Sequence, residues 1–188
     1  MHEQCNNLLM TPVNPPAMPA PFDAQAQFQV RLDWGVAGAS RIQDAADVCV
    51  WVDALETATR PASLGNVVVA NLSNRTAVAQ WILAEQVRRG DRTSIAIIAA
   101  GTEEGAFAVE DFLAAGAVID ALATVGIDFC SPEAASAAAS FVGLKGAVGH
   151  LITASVTGRE LIAAGRRDFV VAGGKLDTVL SLNEVKPA

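Results

Sequence analysis

The sequence predicts an α/β domain in which helices cover both faces of a mostly parallel central sheet, giving a three-layer α/β/α fold. Short apolar runs rich in β-branched residues alternate with helical patterns along the chain, as they do in successive βα units. Apolar residues make up 52% of the 188 residues and charged residues 18%, which is enough to bury one core. We therefore expect a single domain over residues 28–188, preceded by a flexible leader over residues 1–27.

The apolar runs predict the strands of the sheet. These strands are expected at 28–34, 48–53, 67–71, 94–99 and 168–171, with a further short one at 178–180. Helical patterns between them predict helices at 36–46, 73–89 and 102–123. Ser131 followed by Pro132 predicts the start of another helix. Thr157 and Glu160 have the spacing of a capping box, which predicts one more.

The composition argues against several classes of function. The leader holds five prolines and neither a basic nor a continuous apolar stretch, so it does not resemble a signal peptide. No segment is expected to span a membrane. A net charge of -7 with scattered arginines argues against nucleic acid as a partner. Three cysteines without a CxxC pair predict a soluble, cytoplasmic protein with neither disulfides nor structural zinc, and a homo-oligomer is compatible with all of this.

Asp53 is the strongest single candidate for a functional residue. It ends the apolar run VCVWVD, so we expect it at the carboxyl end of a buried strand, where ligands of open α/β sheets bind. The alternative is that Asp53 only begins a turn or caps the next segment, as most aspartates at strand ends do.

Two acids in the longest predicted helix are further candidates. Asp111 shares a helical stripe with Phe107, Val118 and other apolar residues, so its carboxylate must meet an arginine, backbone donors, a cation or the wet edge of the stripe. Glu110 points about a quarter turn away and is either a second metal ligand or an ordinary solvated glutamate. A structural pairing with an arginine and a metal role are both open for Asp111.

Two strand-to-helix junctions complete the candidates. Gly101 follows the run IAIIAA and precedes a helix, so its turn could offer backbone amides to an oxyanion. Asn74 begins the helix after the run VVVAN, where it would cap the helix or contact a ligand. The chain contains neither the glycine fingerprint of dinucleotide-binding proteins nor that of NTP-binding proteins, which places a nucleotide binder last among the hypotheses.

These stretches, taken in order, resemble the 2-phosphosulfolactate phosphatase family. The similar segments include VRLDWG, VCVWVDAL, NLSNRTAVAQWI, IAIIAAG, AVEDFLAAGAVIDAL and SVTGRELIAAGRRDFVVAG, which together cover most of residues 30–172. The family has a long polar insert after the strand-end aspartate, whereas here Asp53 is followed only by ALETATRPASLGNVVVAN. Thr59 is similar to the Thr-rich turn of the family, and Glu56 stands where the family has Arg or Ser.

The resemblance implies a Mg²⁺-dependent phosphomonoesterase that acts on a small phosphorylated substrate. It implies a catalytic role for Asp53, Asn74 and Gly101. It implies Mg²⁺ ligands at Asp53, Glu110 and Asp111, since hard carboxylate oxygens suit this ion. It implies phosphate contacts from Thr59, with Arg60 or Arg75 substituting for the missing insert. Either Asp53 or metal-bound water could attack phosphorus, and the missing insert favours the alternative of a non-catalytic paralogue that binds a small anion or a protein.

Overall fold

A single parallel sheet organises the chain. The computed structural model describes residues 21–44, 46–64, 67–103 and 105–182. Within them, four strands pair in the order β1–β4–β2–β3, all parallel. The strands are β1 (Val30–Trp34), β2 (Val48–Val52), β3 (Val67–Ala70) and β4 (Ile95–Ala99). The first four predicted strands are thus confirmed, with ends that differ by one or two residues.

Helices cover both faces of this sheet, so the predicted α/β class is confirmed. The helices are α1 (Gly35–Ile42), α2 (Arg75–Arg89), α3 (Val109–Thr124), α4 (Pro132–Leu144), α5 (Val148–Ala154), α6 (Val156–Ala163) and α7 (Arg167–Gly173). Helix α1 packs on β1 and β4 from one side, while α2, α3 and α4 pack on the strands from the other. The two helical layers are therefore unequal.

Side chains alternate between the two faces of the strands, as the pleat requires. On β2, Trp51 lies in the apolar cluster beneath α1 together with Ile42, whereas Val50 and Val52 lie in the larger cluster beneath α3. The same alternation holds for Ile97 and its neighbours on β4. Both faces of the sheet are buried, which explains why the strands appear in the sequence as continuous apolar runs.

Helices α3 and α4 approach each other closely at Gly116. A Cβ atom on Gly116 would lie 2.1 Å from the carbonyl oxygen of Ala137 and 3.0 Å from the Cβ of Phe141. The backbones of the two helices meet here because neither a methyl group nor a larger side chain intervenes.

We expect Gly116→Ala to lower the free energy of unfolding by about 2 kcal/mol, because the added methyl group must push α4 away from α3. Gly143→Ala is the matched control, since a Cβ at that helical position meets nothing within 4 Å. It should raise stability by about 0.5 kcal/mol through the lower entropy of the unfolded chain. Urea denaturation followed by circular dichroism measures both. Equal effects of the two substitutions would contradict the close helix contact.

The predicted helix at 102–123 begins later, at Val109. Gly101 and Gly105 have φ angles of 72° and 79°, which an α-helix does not accept. The described residues before α3, 102–103 and 105–108, are not helical, and the amide of Thr102 donates to the carbonyl of Ala106 at 2.9 Å. The apolar periodicity of this stretch therefore described only its second part.

Three of the C-terminal predictions were wrong. Residues 168–171 form part of helix α7, because a short apolar run is compatible with a buried helix as well as with a strand. Residues 178–180 form no strand; the amide of Val179 donates to the carbonyl of Ser73, in the loop before α2. The capping box at Thr157 was also wrong, since Ser155 caps α6 by accepting from the amide of Gly158. Ser131 caps α4 as predicted.

The last residues of the predicted leader contact the sheet. Residues 1–20 lie outside the described part of the chain, but Phe22–Ala24 form a 3-10 turn and Gln25 is buried. The side chain of Gln25 both donates to the carbonyl of Leu32 and accepts from its amide. Gln25 thus holds this end of the predicted leader against β1.

One stretch passes the length and composition test for a membrane span. It covers Pro132–Ala154, of which an 18-residue window is 22% buried in the fold. The stretch comprises α4, a 3-10 turn at Lys145–Ala147 and α5. Phe141 and Ile152 from it are fully buried in the main core, whereas most of the window is not.

Candidate functional site

The carboxyl ends of the strands gather the candidate residues at one edge of the sheet. Val52 pairs with Ala99 in parallel register, so Asp53 and Gly101, which follow these strands, lie at the same edge. This confirms the predicted placement of the two residues. Trp34, the last residue of β1, pairs with Ala99 from the other side.

A cavity of about 580 Å³ opens at this edge, on the side of the sheet that α1 covers. Its walls come from the ends of β1 and β2, the start of α1 and the loop after β4. The lining includes Trp34, Gly35, Trp51, Thr59, Thr102 and Glu103. The cavity thus combines aromatic walls, two hydroxyl groups and the first turn of a helix.

Helix α1 begins directly from the strand, without an intervening loop. Gly35 adopts a φ of 63°, a left-handed conformation that turns the chain from β1 into the helix. The N-cap residue Trp34 provides no side-chain cap, so the first amides of α1 are not satisfied by a capping side chain. Gly35, Val36 and Ala37 all line the cavity, which places the positive end of the helix dipole at its wall.

An ion pair between Asp33 and Arg41 holds the junction between β1 and α1 in place. The guanidinium of Arg41 donates to both carboxylate oxygens of Asp33, at 2.7 and 2.8 Å. A carboxylate oxygen of Asp33 also accepts from the amide of Trp34 at 2.8 Å, and its side chain lies against Gly38. The pKa of Arg41 is raised above its ordinary value, chiefly by its hydrogen bond to Asp33. The pair anchors α1 to the strand that precedes it.

Asp111 joins three segments of the chain at the same edge. One carboxyl oxygen accepts from the amide of Ala54 at 2.8 Å, and the other accepts from the amide of Gly101 at 2.9 Å. Burial raises the pKa of Asp111 well above its ordinary value of 3.8, the nearby carboxylates of Asp53 and Glu110 raise it further, and the two amides offset part of this. Asp111 therefore meets backbone donors, not an arginine.

The Gly101 amide is engaged by this contact, so it is not directed at a ligand as the sequence suggested. Gly101 is also required sterically. Its φ is 72°, and a Cβ atom there would lie 2.6 Å from the carbonyl oxygen of Ala106. The turn after β4 is therefore a closed structural turn held by Asp111.

Asp53 shapes the loop that forms one wall of the cavity. Its two carboxylate oxygens accept from the amides of Leu55 and Ala58, at 3.2 and 2.8 Å. Ala58 and Thr59 line the cavity, whereas Asp53 is 3% exposed and lies behind them. Glu110 is also buried, and its carboxylate forms no hydrogen bond or ion pair with the described residues. Among those residues, no group of three or more His, Cys, Asp or Glu side chains is placed to hold a metal ion.

The remaining predicted residues fall into two groups. Thr59 lines the cavity, and the exposed Arg60 follows it without lining it. Asn74 instead organises the loop before α2, where its side-chain oxygen accepts from the amide of Asn71 and its amide group donates to the carbonyl of Val69.

Arg75 points away from the cavity and is engaged elsewhere. Its guanidinium pairs with Asp120 at 3.1 Å and with Asp177 at 2.9 Å, and it lies over the ring of Phe141. The predicted phosphate contact of Arg75 therefore does not fit this arrangement, because the two carboxylates hold its guanidinium outside the cavity lining.

Sequence reasoning missed the aromatic and helical part of the cavity. Trp34, Gly35 and Trp51 were not singled out, and neither was Glu103. A signal was available: the pair Trp34–Gly35 ends the first predicted strand, and ends of parallel strands meet at one edge.

Comparison with known protein families gives one clear assignment. The family model described as 2-phosphosulpholactate phosphatase matches residues 52–186, well over half of the chain. The match includes Asp53, the start of α2, the turn at Gly101 and the first turn of α3, but not β1 and α1. A search of the curated proteins finds no match. The match over residues 52–186 shows that the chain belongs to the 2-phosphosulpholactate phosphatase family.

Proposed function

We propose that the chain is a cytoplasmic phosphomonoesterase that binds a small phosphoester in the cavity at the carboxyl edge of the sheet. The observation that carries this proposal is the position of the cavity. Its Thr59 and Thr102 walls belong to the part of the chain that matches a phosphatase family, and it lies where open parallel sheets bind their ligands. Free Cys49 and Cys130 are compatible with a reducing cytoplasm.

The cavity can hold one phosphoryl group with the donors that it has. The first amides of α1 carry partial positive charge, which favours an anion at this end of the helix. The hydroxyl groups of Thr59 and Thr102 can each donate to a phosphoryl oxygen. Trp34 and Trp51 also line the cavity and give its wall an apolar surface.

Magnesium dependence stays a prediction from the resemblance. The three predicted ligands do not converge on one point that could hold the ion, since no group of three or more His, Cys, Asp or Glu side chains does so among the described residues. Each carboxylate oxygen of Asp53 and Asp111 instead accepts one backbone amide. Glu110 alone retains a carboxylate free of hydrogen bonds to the described residues. We therefore derive no catalytic step through the metal.

The non-catalytic alternative is favoured by the same arrangement. Asp53 and Gly101, to which the resemblance gives catalytic roles, and Asp111, which it makes a metal ligand, all hold loops in position instead. A chain that kept the scaffold and lost turnover would still bind a phosphoester in the cavity, so binding and turnover must be measured separately.

A screen of small phosphomonoesters tests the proposal, with release of inorganic phosphate as the readout and with either Mg²⁺ or a chelator present. We expect turnover that Thr59→Val lowers roughly tenfold in kcat/KM, because it removes one hydrogen bond to a charged oxygen and keeps the side-chain shape. Thr153→Val is the control, since its exposed hydroxyl bonds only to the carbonyl of His150.

Three outcomes separate the hypotheses. Turnover only with Mg²⁺ would support the predicted metal. Calorimetric binding of a phosphoester without turnover would favour the non-catalytic alternative. Neither binding nor turnover would contradict the proposed function.

A further inference from the structure

The charge of the cavity wall does not match a polyanionic ligand. Among the described residues that line the cavity there is no lysine or arginine, and the charged side chain there is Glu103. A ligand with three acidic groups would need positive potential that these walls do not supply. The first turn of α1 and two threonines suffice for one anionic group.

The surface beside the cavity is also acidic. A second cavity, of about 490 Å³, shares Thr102 and Glu103 with the first and adds Glu160. Its described lining likewise contains no lysine or arginine. An anionic group that extended from the first cavity in this direction would therefore meet two carboxylates.

Aromatic side chains form much of the remaining wall. Trp51 is buried beneath the cavity, while Trp34 at its mouth is 38% exposed. Phe107 contacts Trp34 edge to face, with ring centroids 6.3 Å apart, and packs in turn on Phe112 at 5.4 Å. Trp34 is thus held in place by neighbouring rings, although it is partly open to water.

We propose that the substrate of this site is a phosphomonoester with an apolar, aromatic body whose phosphate is its sole anionic group. The inference rests on the proposed function, because it takes the cavity as the site that binds the phosphoester. The phosphate lies against the start of α1, and the body lies against Trp34, the more exposed of the two lining tryptophans. This substrate class differs from the substrate that gives the family its name, which also carries a sulfonate and a carboxylate.

Two effects should make the cavity prefer an aromatic phosphomonoester to one with additional anionic groups. Stacking on a tryptophan favours an aromatic body over a polar one by roughly three- to tenfold in affinity. Each extra anionic group near Glu103 weakens binding further, because the cavity is partly closed and screens charges less than bulk water does. Phenyl phosphate should therefore bind more tightly than 2-phosphosulfolactate.

Isothermal titration of these two compounds into the full chain tests the proposal. We expect phenyl phosphate to bind at least tenfold more tightly. Glu103→Lys should shift the ratio of the two affinities towards 2-phosphosulfolactate by roughly tenfold, because the variant replaces repulsion by attraction. Glu133→Lys, on the exposed first turn of α4, changes the net charge equally and should leave the ratio unchanged.

A second pair of variants tests the aromatic wall. Trp34→Leu should lower the affinity for phenyl phosphate by roughly three- to tenfold and leave the affinity for inorganic phosphate unchanged. Phe22→Leu, which alters an exposed ring outside the cavity lining, should change neither affinity.

Binding separates this inference from the proposed function. If phenyl phosphate binds more tightly but no phosphate is released, the inferred ligand preference is supported and the proposed phosphatase activity is contradicted. If the protein turns over phosphoesters but prefers 2-phosphosulfolactate, the proposed phosphatase activity is supported and the inferred substrate class is contradicted. Failure of both compounds to bind, or an affinity ratio that Glu103→Lys does not alter, would overturn the inference.

Discussion

Asp111→Ala is expected to lower the free energy of unfolding by about 4 kcal/mol, because it leaves two buried backbone amides without acceptors. These amides belong to Ala54, after β2, and Gly101, after β4. Their contacts with Asp111 connect two strand ends to the first turn of α3. Chemical denaturation at pH 7 measures the loss, which should be among the largest for any single substitution in the chain.

Asp111→Asn should cost about half as much, because its one carbonyl oxygen can accept from only one of the two amides. Asp128→Asn is the control: Asp128 is exposed and forms no hydrogen bond or ion pair with the described residues. Its change should stay within about 0.5 kcal/mol. An Asp111→Asn protein as stable as wild type would contradict the structural role of Asp111 and would favour its predicted role as a metal ligand.

The pH dependence of this cost has a definite sign. The pKa of Asp111 is raised in the folded chain above its ordinary value of 3.8, so the folded state holds this proton more tightly than the unfolded state. Wild type therefore loses stability as pH rises from the ordinary to the raised pKa, whereas an asparagine does not titrate. The stability difference between wild type and Asp111→Asn should shrink as pH rises. Denaturation of both proteins at several pH values above 4 measures it.

The sequence predicted the sheet well because its strands are buried on both faces. Runs such as VCVWV and IAIIA can be neither exposed nor amphipathic, and their spacing leaves room for the helices between them. The order of the strands was not predictable in this way. Strand β4 lies between β1 and β2, and local patterns do not specify such long-range pairing.

The sequence could predict at which edge of the sheet the candidate residues lie, but not which hydrogen bonds their side chains form. Strand ends place Asp53 and Gly101 together because parallel strands share a direction. Which donor each carboxylate meets depends on loops of irregular conformation, such as the one from Asp53 to Ala58. For the same reason the sequence could not show that Asp111 binds the amide of Gly101 in place of an arginine.

Arg75→Ala is expected to lower the free energy of unfolding by about 3 kcal/mol, because it removes the cation shared by Asp120 and Asp177. The guanidinium also lies 5.3 Å from the centre of the Phe141 ring. The Arg75 side chain is 11% exposed, against 27% for Asp120 and 28% for Asp177, so water screens these ion pairs only in part. Asp177 additionally accepts from the amide of Thr76. Arg75 thus holds the segment after α7 against α2 and α3.

The pKa of Asp177 gives this contact a pH dependence. Burial alone would raise that pKa, but hydrogen bonds from Thr76 and Arg75 outweigh burial and lower it below 3.8. The ion pair therefore contributes its full stability above pH 4 and loses it as pH falls through the lowered pKa. The cost of Arg75→Ala should be constant near neutrality and should decrease in strong acid.

Two further variants decide whether Arg75 is structural or binds substrate. Arg75→Lys keeps the charge but cannot reach both carboxylates with a planar fork, so it should recover only part of the lost stability. Arg159→Ala, at an exposed arginine without an ion pair among the described residues, should be nearly neutral. Neither Arg75 variant should change the affinity of the folded protein for phenyl phosphate, because the guanidinium is held by Asp120 and Asp177 outside the cavity lining. A stable Arg75→Ala protein that no longer binds phenyl phosphate would instead show that this arginine leaves its carboxylates to hold the phosphate, as the family resemblance implied.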